Sequence, residues 1–113
     1  MIAMKTMPLK IDRKQSVYPN EVLLLKANIN YTEIHLNCGR KIMLAKTLKE
    51  FYKEFEKFGF FRVNRSVVIN MNFVVKTDEN FQSLKLKNKL QLKVSRRRRD
   101  EFKASFRQLN GVQ

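Results

Sequence analysis

A mostly β domain with two helices is the fold class this chain predicts, and three patterns carry the prediction. Short stretches that alternate apolar and polar residues recur along the 113 residues, which is the period of half-buried strands. One stretch in the middle, Lys46–Gly59, instead spaces its apolar residues by three and four behind a helix-start signal. A second helical pattern runs from Arg96 to Leu109. With no internal repeat and no low-complexity linker, residues 1–113 are expected to form a single domain.

In chain order, weak alternation over Met4–Ile11 suggests a first strand, with Met7, Leu9 and Ile11 set against Lys10 and Asp12. Ser16-Val17-Tyr18-Pro19-Asn20 reads as a turn because it combines Pro with Asn. Glu21–Ala27 (EVLLLKA) is a continuous apolar run, the mark of a buried strand, and Asn28-Ile29-Asn30 breaks it. Tyr31–Leu36 alternates, with Ile34 and Leu36 on one face and Glu33 and His35 on the other. Asn37-Cys38-Gly39-Arg40 supplies the Gly-bearing turn of a hairpin that returns through Lys41–Ala45.

Thr47 and Glu50 then form a capping box, which satisfies two free amides at the start of a helix. Leu48, Phe51, Tyr52, Phe55 and Phe58 line one apolar stripe, a pattern of core packing, and Gly59 supplies a left-handed stop. In Phe60–Asn70 (FFRVNRSVVIN), apolar ends clamp Arg62, Asn64, Arg65 and Ser66, four groups too polar to bury without partners. Met71-Asn72-Phe73 reads as a short turn, Val74–Lys76 as a brief strand and Thr77–Asn80 as a polar loop. Phe81–Lys87 and Lys89–Ser95 alternate as a hairpin jointed at Asn88. Leu84, Leu86, Leu90, Leu92 and Val94 are expected on its inner face, with Lys85, Lys87 and Lys93 outside. Phe102, Phe106 and Leu109 follow helical spacing, with Ser95 as the expected N-cap and Gly111 as the stop.

Charge narrows the function. The 24 Lys and Arg against 10 acidic residues give a net charge of +14, so a polyanionic partner is expected. Lys85–Arg107 alone holds ten basic residues against Asp100 and Glu101. Nucleic acid fits better than a membrane surface, because no long amphipathic helix with an exposed apolar face backs these cations. No apolar run is long enough for a signal peptide or a bilayer span, so a cytoplasmic protein without membrane insertion is expected. The single cysteine, Cys38, excludes an internal disulfide and a cysteine zinc site. His35 has no partner ligand at metal spacing, and neither a metal nor a cofactor is expected. Glycine-rich phosphate loops, nucleophile elbows and paired-carboxylate motifs are missing, which points away from an enzyme.

The stretch Phe60-Phe61-Arg62-Val63-Asn64-Arg65-Ser66-Val67-Val68-Ile69-Asn70 resembles the signature of the LytTR family, the LytR/AlgR-type DNA-binding domain of bacterial transcription regulators, roughly F-x-R-x-H-[RK]-S-x-x-[IV]-N. The resemblance runs from about Val17 to about Leu109 and includes a helix directly before F-x-R. Asn64 stands where the family has His, keeping hydrogen-bonding capacity without an imidazole. The resemblance implies a multi-stranded antiparallel sheet with a central capped helix and a C-terminal helix. It also implies sequence-specific binding of double-stranded DNA in transcription control, by loops rather than a recognition helix. Those loops would enter successive major grooves on one DNA face, at direct-repeat sites each bound by one copy, with the DNA bent. The receiver domain that precedes many such response-regulator output domains has no counterpart within residues 1–113.

By the same resemblance the position before the signature Ser reaches a base edge, a role that falls on Arg65. An arginine there can hold O6 and N7 of guanine together, worth about 1–3 kcal/mol of discrimination. Asn64 beside it, and Tyr31 from the segment Asn30-Tyr31-Thr32, are further candidates for base contact. A strand-ending v-S-R element places another base-reading arginine at Arg96. Ser66, Ser95, Arg97, Arg98, Arg99, Lys93 and Lys85 are candidate phosphate contacts. The run Ser95–Arg99 also speaks through its own chemistry: cations at a helix start oppose the local dipole unless a phosphate sits among them. The charge also permits a small RNA-binding protein, or a protein-interaction domain that binds an acidic or membrane-bound regulatory partner. RNA readers expose aromatic rings on a sheet, whereas most Phe residues here sit at core-like spacing, which disfavours the former. A regulatory protein, or a second copy on the adjacent DNA repeat, is the further partner expected.

Overall fold

A computed structural model of the chain describes residues 7–109. Within them the expected class is found: mostly antiparallel β-sheet with two helices. The first strand, β1 (Leu9–Lys10), keeps only part of the alternating stretch, whose start at Met4 lies outside the described residues. It pairs with β2 (Ser16–Val17), so the expected Ser16–Asn20 turn is half strand. The turn itself is the 3-10 segment Pro19–Glu21, in which the Glu21 carboxylate accepts from the Tyr18 amide at 3.1 Å. The Pro-Asn signal was sound for the turn but blind to a two-residue pairing, which is too short to show a period.

The main sheet follows: β3 (Val22–Asn28), β4 (Tyr31–Leu36), β5 (Lys41–Leu44), β6 (Phe60–Asn64) and β7 (Val67–Asn70), in the spatial order β5-β4-β3-β7-β6. Between β5 and β6 runs α1 (Leu48–Phe55), prolonged by the 3-10 turn Glu56–Phe58. Its capping box forms as expected, Glu50 N–H donating to Thr47 Oγ1 at 3.2 Å and Thr47 N–H to Glu50 Oε2 at 3.1 Å. Gly59 ends it at φ +87°, a conformation that a side chain would strain.

Two apolar cores lie on opposite faces of this sheet. Leu48, Phe51 and Phe55 of α1 pack with Val22, Leu25, Ile34 and Val68, and Phe55 meets Phe60 edge-to-face at 4.9 Å between ring centres. The second core joins Leu23, Leu24, Phe61, Val67 and Ile69 to the elements covering the other face. Neighbours Phe60 and Phe61 therefore point into different cores, and Val22–Leu25 is buried throughout because both sides of β3 are covered. The cover is a three-stranded sheet, β8 (Val74–Thr77), β9 (Ser83–Leu86) and β10 (Gln91–Lys93), ordered β10-β9-β8, together with α2 (Arg99–Leu109). Phe102 of α2 is fully buried there, against Phe61 and Phe81.

Two expectations for this last region are corrected. Leu90 is exposed rather than inward, because the β9–β10 turn extends to it: Lys89 takes φ +73° and the Leu90 amide bonds Asn88 Oδ1 at 3.1 Å. Ser95 stands at the start of a 3-10 turn, Arg96–Arg98, without a side-chain cap, and α2 begins only at Arg99. The expected stop at Gly111 lies outside the described residues.

The end of the signature has a structural task. Asn70, almost wholly buried, donates from Nδ2 to the Val22 carbonyl at 3.0 Å and accepts the Asn72 amide on Oδ1 at 3.0 Å. It locks β7 to the start of β3, and with a longer bond to the Pro19 carbonyl at 3.4 Å these contacts remove the penalty of burying an amide.

Candidate nucleic-acid interface

Three segments distant in sequence meet at one end of the main sheet. The β3–β4 turn carries Ile29 and Asn30, and the β6–β7 turn carries Arg65 and Ser66. Antiparallel pairing of Lys26 with Val67 sets these turns side by side, and the Ala27 amide donates to the Ser66 carbonyl at 2.8 Å. The third segment is the strap from Lys93 through Arg98. It is tied to β6 twice, by the Ser95 amide on the Val63 carbonyl at 2.8 Å and by Asn64 Nδ2 on the Lys93 carbonyl at 2.8 Å. Asn64 Oδ1 meanwhile accepts the Ser66 amide at 2.8 Å. One amide side chain thus fixes the Arg65 turn and the Arg96 strap to each other.

Arg62 stiffens the same turn from below. Its Nε donates to the Asn64 carbonyl at 3.3 Å and its Nη2 to the Arg65 carbonyl at 2.7 Å. Burial lowers its pKa from the usual arginine range, the Arg98 and Arg65 charges lower it further, and Tyr52 opposes them. The three guanidinium groups therefore share one neighbourhood. Among the described residues the ion pairs are His35–Glu33 and Lys46–Glu54, and neither involves these arginines. Cations gathered without carboxylate partners favour an anion from outside.

Of the remaining candidates, Arg65, Ser66, Lys93, Arg96 and Arg97 are exposed at this end, and Arg98 is half-buried beside Arg62. Tyr31 is exposed at the foot of the β3–β4 turn, opposite Asn28. Arg99 is turned inward enough for its Nε to donate to the Val94 carbonyl at 3.2 Å, so it fastens the strap. Lys85 is set back: it pairs with Gln91, two residues along the strand from the Lys93–Ser83 pair. Sequence reasoning gave Arg62 no base or phosphate role, and its bonds to two carbonyls are structural. It missed the Asn28–Glu33 link, in which Asn28 Nδ2 donates to Glu33 Oε2 at 2.7 Å and braces the β3–β4 turn. Hydrogen bonds from His35 and then Asn28 hold the Glu33 carboxyl below its usual pKa. Nothing in local sequence signals that contact, since it depends on which residues face each other across the hairpin.

A groove of about 730 Å³ between α1, β6 and α2 is lined by Tyr52, Phe60, Met71, Leu109 and the carboxylates Glu56 and Glu101. Its charge is wrong for phosphate. No group of His, Cys, Asp and Glu suited to holding a metal occurs among the described residues, and no helix there is long and apolar enough to cross a membrane.

A sheet that presents cations from adjoining turns defines a class, the small β domain with a basic rim. The family follows from the sequence model described as LytTr DNA-binding domain, which matches residues 12–107, and the chain belongs to that family. It is accordingly the DNA-binding domain of a transcription regulator, with double-stranded DNA as its partner, in a family of DNA-binding domains rather than enzymes. Among solved structures, the chain is similar to the LytTr DNA-binding domain of a Bacillus cereus protein described as a methyl-accepting/DNA response regulator. The two share 23% identity and a TM-score of 0.65 over 96% of this chain and 99% of that one, a likeness of fold. No curated protein matches the chain.

Proposed function

We propose that the domain recognises one duplex sequence by reading bases in the major groove with Arg65 and Arg96, presented together from the tied turn and strap. The single observation that supports this most is the pair of bonds from Asn64, which sets the Arg65 turn and the Arg96 strap in fixed relation. Tyr31 is a further base contact. Ser66, Ser95, Lys93, Arg97 and Arg98 hold phosphates and set the register.

Three roles follow the geometry. Asn64 acts chiefly as the tie between two reading segments, with its amide engaged at both ends. Arg99 shares its guanidinium between the Val94 carbonyl and the backbone phosphates. Lys85, set back on the small sheet, strengthens the field that draws DNA in. DNA docked on this rim is bent, and a second copy of the chain occupies the adjacent direct repeat. The setting we infer is a bacterial, cytoplasmic regulator of the response-regulator output type, with a regulatory protein as its other partner.

Selection of bound duplexes from a random library tests this reading. The wild-type chain should enrich a motif, and Arg65→Ala should relax one base pair of it while leaving the rest. Enrichment of the same motif by both proteins would overturn the assignment of Arg65.

A further inference from the structure

The geometry points to Ile29 as a base-reading side chain that packs on the 5-methyl group of thymine in the major groove; this rests on the reading of the loop edge given above. Ile29 sits at the tip of the β3–β4 turn with φ +55° and is 93% exposed. A left-handed backbone sets Cβ against the neighbouring carbonyl, and for a β-branched residue it is a true outlier. Asn and Gly are the residues such turns favour. The chain has Asn on both sides, at Asn28 and Asn30, and Ile between them.

The other non-glycine residues with positive φ among those described are Phe81 and Lys89. Phe81 is offset by packing, its ring lying 5.9 Å from that of Phe102 and 6.0 Å from that of Phe106. Lys89 is unbranched and points a polar chain into water. Ile29 has neither excuse. A single exposed apolar side chain needs no special account, but one held in a strained backbone, with its surface left in water, gains nothing within the chain.

What it gains lies outside. The Ile29 turn adjoins the Arg65–Ser66 turn through the Ala27–Ser66 hydrogen bond of 2.8 Å and the Lys26–Val67 pairing. A side chain projecting from that rim meets whatever Arg65 meets. In the major groove the thymine methyl is the apolar group on display, and aliphatic side chains read it by contact. A polar turn residue would fit the backbone better and read the methyl worse.

The test starts from the duplex that the wild-type chain enriches, with each thymine replaced in turn by deoxyuridine, which removes the methyl alone. At one or two positions the wild-type affinity should fall about fourfold, the worth of one buried methyl-sized group. Ile29→Ala should lose about the same factor on the thymine duplex and become indifferent to deoxyuridine there. Ile29→Asn suits the backbone, so it should melt at a higher temperature while losing the same thymine preference. That split separates reading from folding. Wild-type affinity in both variants, or a loss equal on thymine and deoxyuridine duplexes, would overturn the role of Ile29 while leaving Arg65 untouched. A wild-type chain that enriches no sequence at all would overturn both readings together.

Discussion

Replacing Asn64 by Ala removes the two bonds that tie the Arg65 turn to the Arg96 strap, at 2.8 Å each. A typical intramolecular hydrogen bond contributes about 0.5–1.5 kcal/mol net. Water reaches the Ser66 side of this site, so the lower end applies and the folding loss should be about 1 kcal/mol. For a domain of this size that lowers the melting midpoint by roughly 4–6 °C. The larger consequence is for DNA, because two reading segments lose their common support at once. Arg65→Ala and Arg96→Ala, each measured by fluorescence anisotropy on the selected duplex, should cost less in the Asn64→Ala background than in wild type. A coupling of about 0.5–1 kcal/mol per pair is expected, within the range for residues sharing one hydrogen-bond network. If Asn64→Ala melted like wild type, and both arginine losses were the same in either background, the tie would be incidental and the reasoning wrong.

Other consequences are independent of that cycle. Binding should weaken steeply with salt, with a log–log slope of roughly −4 to −8 if about five to nine phosphates are neutralised; a flat response would remove the strap from the phosphate contacts. Phe55→Ala should destabilise the fold by about 3–5 kcal/mol, because its buried ring joins α1 to β6; a loss under 1 kcal/mol in denaturant titration would contradict that packing. Glu33 and Glu50 have lowered pKa values, through bonds from His35 and Asn28 and from Thr47 respectively. Their contribution to stability is therefore full above the ordinary carboxylate range and is lost as pH falls through the lowered values. The melting midpoint should drop between about pH 5 and pH 3, less so in Glu50→Gln, and an unchanged slope in that variant would acquit the cap.

The parts of the fold that sequence reveals are those decided within a few residues. Thr47 and Glu50 cap α1, Gly59 stops it, and the turn at Asn37–Arg40 closes a hairpin, each through contacts over three or four positions. The run Val22–Leu25 announced burial but not its cause, two separate cores, since that needs the covering sheet. Leu90 failed because a turn residue at Lys89 took the alternation out of step. Arg65 and Arg96, the base contacts proposed above, could be picked from the chain, but their neighbourhood could not. It arises from the non-sequential β3–β7 pairing and from Asn64 reaching Lys93, 29 positions on. Exposed rims offer no periodic signal from which to read such a contact.

The turn that closes the β4–β5 hairpin carries Cys38, the sole thiol of the chain, in an exposed position. Tyr31 begins β4 at the arginine-bearing rim and Leu36 ends it next to this turn, five residues on, about 17 Å along the strand. A fluorophore or a biotin tether attached through sulfur would thus stand well clear of the docked duplex. Immobilised by that handle, every molecule would hold its arginine-bearing edge toward solution, ready for single-molecule observation without a redesigned surface.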